Sequence, residues 1–238
     1  MFFDVQIYKG AKMNKIFYFS GSGKSKRLAN FLGKEVCAEV FDLTKTSDYT
    51  ADLAIIVFPV YCQNLPDPVI PFLQKLKAKK VSFVALYGQK SFGNVIEDAV
   101  KITDSDFIGG VCVPCGHSFL SEKDDFDYKS FKPFIERIKN PISAKPKHYN
   151  KSFYADFFPA NRTQICVKIY KNENCINCGK CSENCPMGAM DDGKINRNCI
   201  RCLRCVSECP ENALQFKING FLKLYLTCSR KNEYKYFF

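Results

Sequence analysis

Residues 175–190 read CINCGKCSENCPMGAM, and residues 199–214 read CIRCLRCVSECPENAL. Cys175, Cys178, Cys181 and Cys185-Pro186 are followed by Cys199, Cys202, Cys205 and Cys209-Pro210. The pattern C-x2-C-x2-C-x3-C-P is written twice. Three cysteines at this spacing lie on one tight loop and can grip three corners of a cubic cluster, while the fourth reaches a neighbouring one. The spacing predicts two [4Fe–4S] clusters. One falls to Cys175, Cys178, Cys181 and Cys209, and the other to Cys199, Cys202, Cys205 and Cys185. Each proline stops its cysteine from continuing the preceding loop.

The repeat extends beyond cysteine. Both segments share C-I-x-C-x-x-C-x-x-x-C-P-x-x-A, an internal duplication with a period of 24 residues. Two zinc sites are the alternative, because C-x2-C pairs also bind zinc. Zinc needs only four ligands, however, and gives the paired prolines no role. A disulfide framework is disfavoured, since no secretory signal is read and the chain can build a core without staples. Over about residues 165–220 the segment resembles the bacterial two-cluster ferredoxin family. That resemblance implies a small α+β domain and electron transfer.

With 238 residues the chain has room for a larger domain upstream. No apolar run reaches the eighteen or so residues of a membrane span. Fourteen cysteines without an export signal suggest a reducing cytoplasm. The net charge is +11, but residues 173–211 carry five Lys/Arg against six Asp/Glu. The tail 217–238 carries five against one. A basic excess would steer an acidic redox partner. With no dense arginine stripe, nucleic acid is not expected as a partner.

From Lys15 onward, strand and helix signals alternate. Ile16–Phe19, Val40–Leu43, Leu53–Val60, Val81–Tyr87 and Phe107–Val113 read as strands. Leu28–Val36, Pro68–Leu76, Asn94–Ile102 and Phe131–Ile138 read as helices. The alternation predicts an α/β, doubly wound parallel sheet, with ligands bound beyond the carboxyl ends of its strands. Ser20, Gly21, Ser22, Gly23, Lys24 and Ser25 follow the first strand and open a helix, which suits a phosphate. A P-loop would require glycine at position 18, where Tyr18 stands, so that nucleotide-hydrolysis motif fails.

The hydroxyl-x-hydroxyl-Gly-x-hydroxyl order of Ser20, Ser22, Gly23 and Ser25 is similar to the FMN phosphate loop of flavodoxins. Lys24 departs from the neutral residue common there. That family builds its ring site from the next two loops, here Pro59-Val60-Tyr61 and Tyr87-Gly88 through Phe92-Gly93. The resemblance implies stacking by Tyr61, Tyr87 or Phe92 and close backbone approach at Gly88 and Gly93. The order of parts over residues 13–220 resembles proteins that fuse a flavodoxin-like domain to a two-cluster ferredoxin.

The expected organisation is an extension 1–12, a flavodoxin-like domain 13–139, a linker 140–164, a ferredoxin domain 165–220 and a basic aromatic tail 221–238. Met13 reads like a natural start. Phe153–Pro159 reads as packing between the domains, and the tail as a helix on the ferredoxin part. Cys112, Cys115 and His117 form C-x2-C-x-H and read as structural, since free cysteine packs as a small hydrophobe. The expected function is electron transfer between an FMN site, the clusters and a redox partner. Alternatives are a flavin-dependent reductase of an unidentified small substrate and an iron–sulfur sensor or nucleic-acid-binding regulator. No catalytic acid or base is evident in the sequence.

Overall fold

The computed structural model describes residues 13–120, 126–153, 155–156, 165–228 and 230–238. The extension 1–12 and most of the aromatic segment around 157–159 lie outside them. Five parallel strands alternate with helices: β1 (Asn14–Tyr18), α1 (Lys24–Val36), β2 (Glu39–Asp42), β3 (Thr50–Pro59), α2 (Val69–Lys75), β4 (Lys77–Tyr87), α3 (Val95–Val100), β5 (Asp106–Pro114) and α4 (Lys132–Lys139). They run in the order β2-β1-β3-β4-β5, the flavodoxin-like doubly wound arrangement, with its switch point between β1 and β3.

Alternation along the strands sends side chains to two separate cores. Phe17, Phe19, Ile56, Phe58, Phe83 and Ala85 pack under α2 and α3. Ile16, Tyr18, Ile55, Val57, Val84 and Leu86 pack under α1 and α4. Both faces are covered, so the strands read as continuous apolar runs. The segment after α4, expected to be a linker, is an extended strap along the sheet. Ala144 N donates to Phe107 O at 2.7 Å, and Tyr149 N to Asn94 Oδ1 at 2.9 Å. Phe153, expected to pack between domains, is instead 84% exposed.

The cysteine-rich module follows. An antiparallel pair, β6 (Val167–Lys171) with β9 (Leu214–Ile218), encloses a small hairpin of β7 (Met190–Asp191) and β8 (Lys194–Ile195). Two four-residue helices, α5 (Lys180–Glu183) and α6 (Arg204–Ser207), sit 24 positions apart. The sequence duplication is repeated in the backbone. Positive φ recurs at Asn177 and Arg201, at Gly179 and Leu203, and at Gly188 and Asn212, each pair 24 residues apart. A leucine at φ 64° is strained. The loop around the cysteines demands that conformation in both copies.

The tail departs from expectation. Only Gly220–Thr227 is a helix, α7. The chain then returns to the first domain, where β10 (Lys235–Phe237) pairs antiparallel with β5 and becomes the sixth strand of the sheet. Phe237 is buried there and packs with Phe92 and Tyr149. The alternating aromatics of Tyr234, Tyr236 and the neighbouring Phe237 suit a half-buried edge strand. The cysteine module is therefore bracketed by two parts of one sheet domain.

Candidate redox site

The first group of cysteines surrounds a void of about 220 Å³, bordered by Cys175, Cys178, Cys181 and Cys209. Cys185, the fourth cysteine of the first run, does not border it. It lies instead in the electrostatic neighbourhood of Cys199, Cys202 and Cys205. The Cys205 thiol also feels the charge of Cys181 in the first run. Ala189 N–H donates to Cys185 Sγ at 3.2 Å, and Ala213 N–H to Cys209 Sγ at 3.2 Å. Hydrogen bonds to the sulfurs of a bound cluster tune its potential. Burial pushes the Cys202 thiol up to about 11 and the Cys205 thiol up to about 12, so cluster binding must displace their protons. Among the described residues no His, Cys, Asp or Glu side chains converge on a point suited to one metal ion. The four thiols that border the void suit a cluster-sized group.

A second cavity, of about 1050 Å³, lies beyond the carboxyl ends of β1, β3, β4 and β5. Of the expected flavin residues, Ser20, Gly21, Ser22, Lys24, Ser25, Pro59, Val60, Tyr61 and Gly88 line it. Gly23 stands just behind as the left-handed N-cap of α1, without a side-chain cap. That leaves the first helical N–H groups for an anion. Ser20 Oγ is buried with no hydrogen-bond partner among the described residues. Ser22 Oγ lies 2.7 Å from Ser118 Oγ. Lys24 is buried and donates to Gly116 O at 2.7 Å. An orphaned hydroxyl, an uncapped helix and a buried cation together fit a phosphate monoester.

Tyr87 and Phe92, expected to stack on a flavin, stand elsewhere. Tyr87 is 1% exposed, and its hydroxyl donates to Glu233 O at 2.7 Å, pinning the tail. Phe92 packs edge-on against Tyr87, Tyr149 and Phe237. Their strand-end position suggested the cavity, but aromatics there are claimed by the strap and the returning tail. Tyr61 remains at the cavity. It begins a tight turn in which Cys62 and Gln63 both take positive φ and Tyr61 and Asn64 exchange backbone hydrogen bonds. Gly93, at φ 60°, lies where a Cβ would sit 2.5 Å from Gln63 O. It therefore serves the approach of two loops.

Residues not expected at the flavin site complete the walls. The loop after β5 contributes Cys115 and His117, with the His117 ring against Gly88. Phe119 N–H donates to His117 Nδ1 at 3.2 Å. Cys112 is buried in the core and burial raises its thiol pKa, in keeping with a structural role. From the cysteine module come Ile200, Arg201, Cys202 and the α7 residues Phe221 and Tyr225. Position after a fifth strand was a usable signal for His117. Nothing in the sequence placed α7.

The module touches the phosphate loop directly. A Cβ on Gly21 would meet Cys202 O at 1.9 Å, so only glycine permits this approach. Arg204, 1% exposed, donates from Nε to Ser20 O and from Nη1 to Thr44 Oγ1, both at 2.9 Å. Its Nη2 lies 3.3 Å from Asp42 Oδ2, an ion pair without hydrogen-bond alignment.

Residues 167–210 match the family model of the 4Fe-4S dicluster domain. No curated protein matches the chain. Among solved structures, the flavodoxin of Streptococcus pneumonia TIGR4 is 19% identical, with 53% of this chain and 97% of that one covered, at a TM-score of 0.42. A flavoprotein candidate from Bacteroides eggerthii DSM 20697 is 16% identical over 54% and 99% of the two chains, at 0.39. Another from Bacteroides uniformis ATCC 8492 is 14% identical over 53% and 99%, at 0.40. The flavodoxin-like assignment rests on the strand order itself. The chain joins a flavodoxin-like sheet to a 4Fe-4S dicluster-type module. The dicluster match supports an electron-transfer or redox role. No described helix is long and apolar enough to cross a membrane.

Proposed function

We propose that this chain couples an FMN site to two [4Fe–4S] clusters and exchanges electrons with a redox partner through them. The observation that carries the reading is the position of Cys202, which borders the flavin-sized cavity while its carbonyl rests on Gly21 of the phosphate loop. Bound FMN would exchange electrons singly or in pairs, and the clusters one at a time. Ser20, Gly21, Ser22, Lys24 and Ser25 would hold the phosphate, and Val60, Tyr61 and Gly88 the ring. Cys199, Cys202, Cys205 and Cys185 would hold the cluster nearer the cavity. Cys175, Cys178, Cys181 and Cys209 would hold the outer one, which faces a partner. The positive surface suits an acidic partner.

The test is an oxygen-free purification followed by iron, sulfide and released-flavin assays on one sample. About eight iron, eight sulfide and one FMN per chain support the reading. Eight iron without flavin, even after FMN is added, would remove the flavin half. Zinc in place of iron would remove the cluster half. The reductase reading draws on one further observation, that the cavity lies at the upper end of what a single drug-sized ligand needs. Its test is substrate-dependent turnover.

A further inference from the structure

The cysteine module grips the phosphate loop through both ends of one short helix. Arg204 opens α6 and donates to Ser20 O, while Ser207 closes it and donates from Oγ to Gly21 O at 2.9 Å. Both acceptors are main-chain carbonyls of the loop. In a trans peptide the N–H points opposite the carbonyl, and the chain has no cis peptide bond among its described residues. Engaging these two carbonyls therefore turns the N–H groups of Gly21 and Ser22 away from α6. Both residues line the cavity, as does Ser20, whose buried hydroxyl has no partner among the described residues.

Arg204 is held as a locked strut. Its remaining contacts are Asp42 at the end of β2, Thr44 just beyond it, and the Phe19 ring, 5.3 Å from the guanidinium carbon to the ring centroid. Every one belongs to the sheet domain. A buried guanidinium is costly unless it finds such partners. The helix that presents it is only four residues long, and a helix of that length has no stability of its own. It is entered through Leu203 at positive φ, a strain that persists only where the surroundings impose it. Cys202 stands just before it and Cys205 within it, so a cluster bound by these two thiols would brace its shape.

We propose that Arg204 is a positioning residue for the flavin phosphate, and that through it cluster loading and FMN binding are coupled. This rests on the reading of the cavity as an FMN site. With the cluster in place, α6 holds the loop open to phosphate. Without it, α6 loses its frame and the loop loses two anchors. By linkage, FMN in turn retains the cluster. Only ligands bearing the phosphate experience the effect.

The test uses the full chain, cluster-loaded or iron-depleted, and measures FMN and riboflavin dissociation constants by quenching of flavin fluorescence. Arg204→Ala, Arg204→Lys and Ser207→Ala are compared, with iron and sulfide assayed in each. Arg204→Ala with intact iron and sulfide is expected to weaken FMN by roughly tenfold or more and leave riboflavin unchanged. Iron-depleted wild type is expected to show the same selective loss, and FMN is expected to slow removal of iron by a chelator. Should Arg204→Ala not retain iron, Arg204→Lys, which keeps the charge and loses the fork, carries the same comparison. An FMN-to-riboflavin ratio equal to wild type in these variants overturns the proposal, as does undiminished FMN affinity in the iron-depleted chain. Loaded wild type that binds neither flavin overturns the FMN reading and the proposal with it. Variants that bind flavin with an unchanged ratio overturn the proposal and leave the FMN reading standing.

Discussion

Gly21, Lys24 and Glu97 show how much single residues decide here. Gly21→Ala places a methyl group 1.9 Å from Cys202 O, so the module must retreat from the loop. Overpacking of this kind costs about 1–3 kcal/mol. The expected outcome is a lower thermal midpoint, together with slower cluster reduction after flavin photoreduction, followed by EPR. Lys24→Met removes a buried cation from the phosphate loop. FMN affinity should fall by about 1.5–3 kcal/mol, the worth of a charged hydrogen bond, while riboflavin binding holds, as isothermal titration would show. At Glu97, the Asn94 amide first, then His148 at 2.6 Å and Lys101 at 3.0 Å, pull the carboxyl down to about 2 from an ordinary value of 4.5. A depressed carboxylate contributes stability that is present above its unfolded pKa and lost as pH falls through the folded one. The start of α3 should therefore loosen between about pH 4.5 and 2. Glu97→Gln should flatten that part of the acid-unfolding curve.

Among the elements, β10 is the one whose role reading the chain could not assign. Its alternating tyrosines and phenylalanines were visible, but a strand of three residues acquires meaning only from the edge it joins. That edge belongs to β5, more than a hundred residues earlier. The Tyr87 hydroxyl fixes the return by donating to Glu233 O. Tyr87→Phe should cost about 1 kcal/mol, the net worth of one hydrogen bond. Faster amide exchange should be confined to β10 and the outer side of β5. The other strands were legible because both faces of each are buried, which leaves continuous apolar runs. The cysteine loops were legible because a cluster dictates spacing directly.

For the whole molecule, the arrangement predicts an ordered chain of carriers. Cys178→Ser alters the outer group, next to the smaller void, and should slow exchange with an external carrier while flavin and inner cluster still equilibrate. Cys202→Ser alters the group beside the cavity and should isolate the flavin from both. Stopped-flow absorbance with flavin and cluster bands followed separately distinguishes the two. If a complementary surface steers an acidic carrier, the association rate should fall as salt rises.

The sequence alone determined the parts, since cluster spacing, strand alternation and a hydroxyl-rich loop are each set by contacts within some twenty residues. The exchange of the fourth cysteines between the two runs stays an expectation drawn from their spacing. The tertiary structure decided the relations between parts. It put Cys202 on Gly21, Arg204 under the phosphate loop, and Tyr87 and Phe92 in the core with the returning tail. These depend on burial between segments as many as 186 residues apart. A buried arginine reads in sequence like any surface one until its partners, all on another domain, close around it.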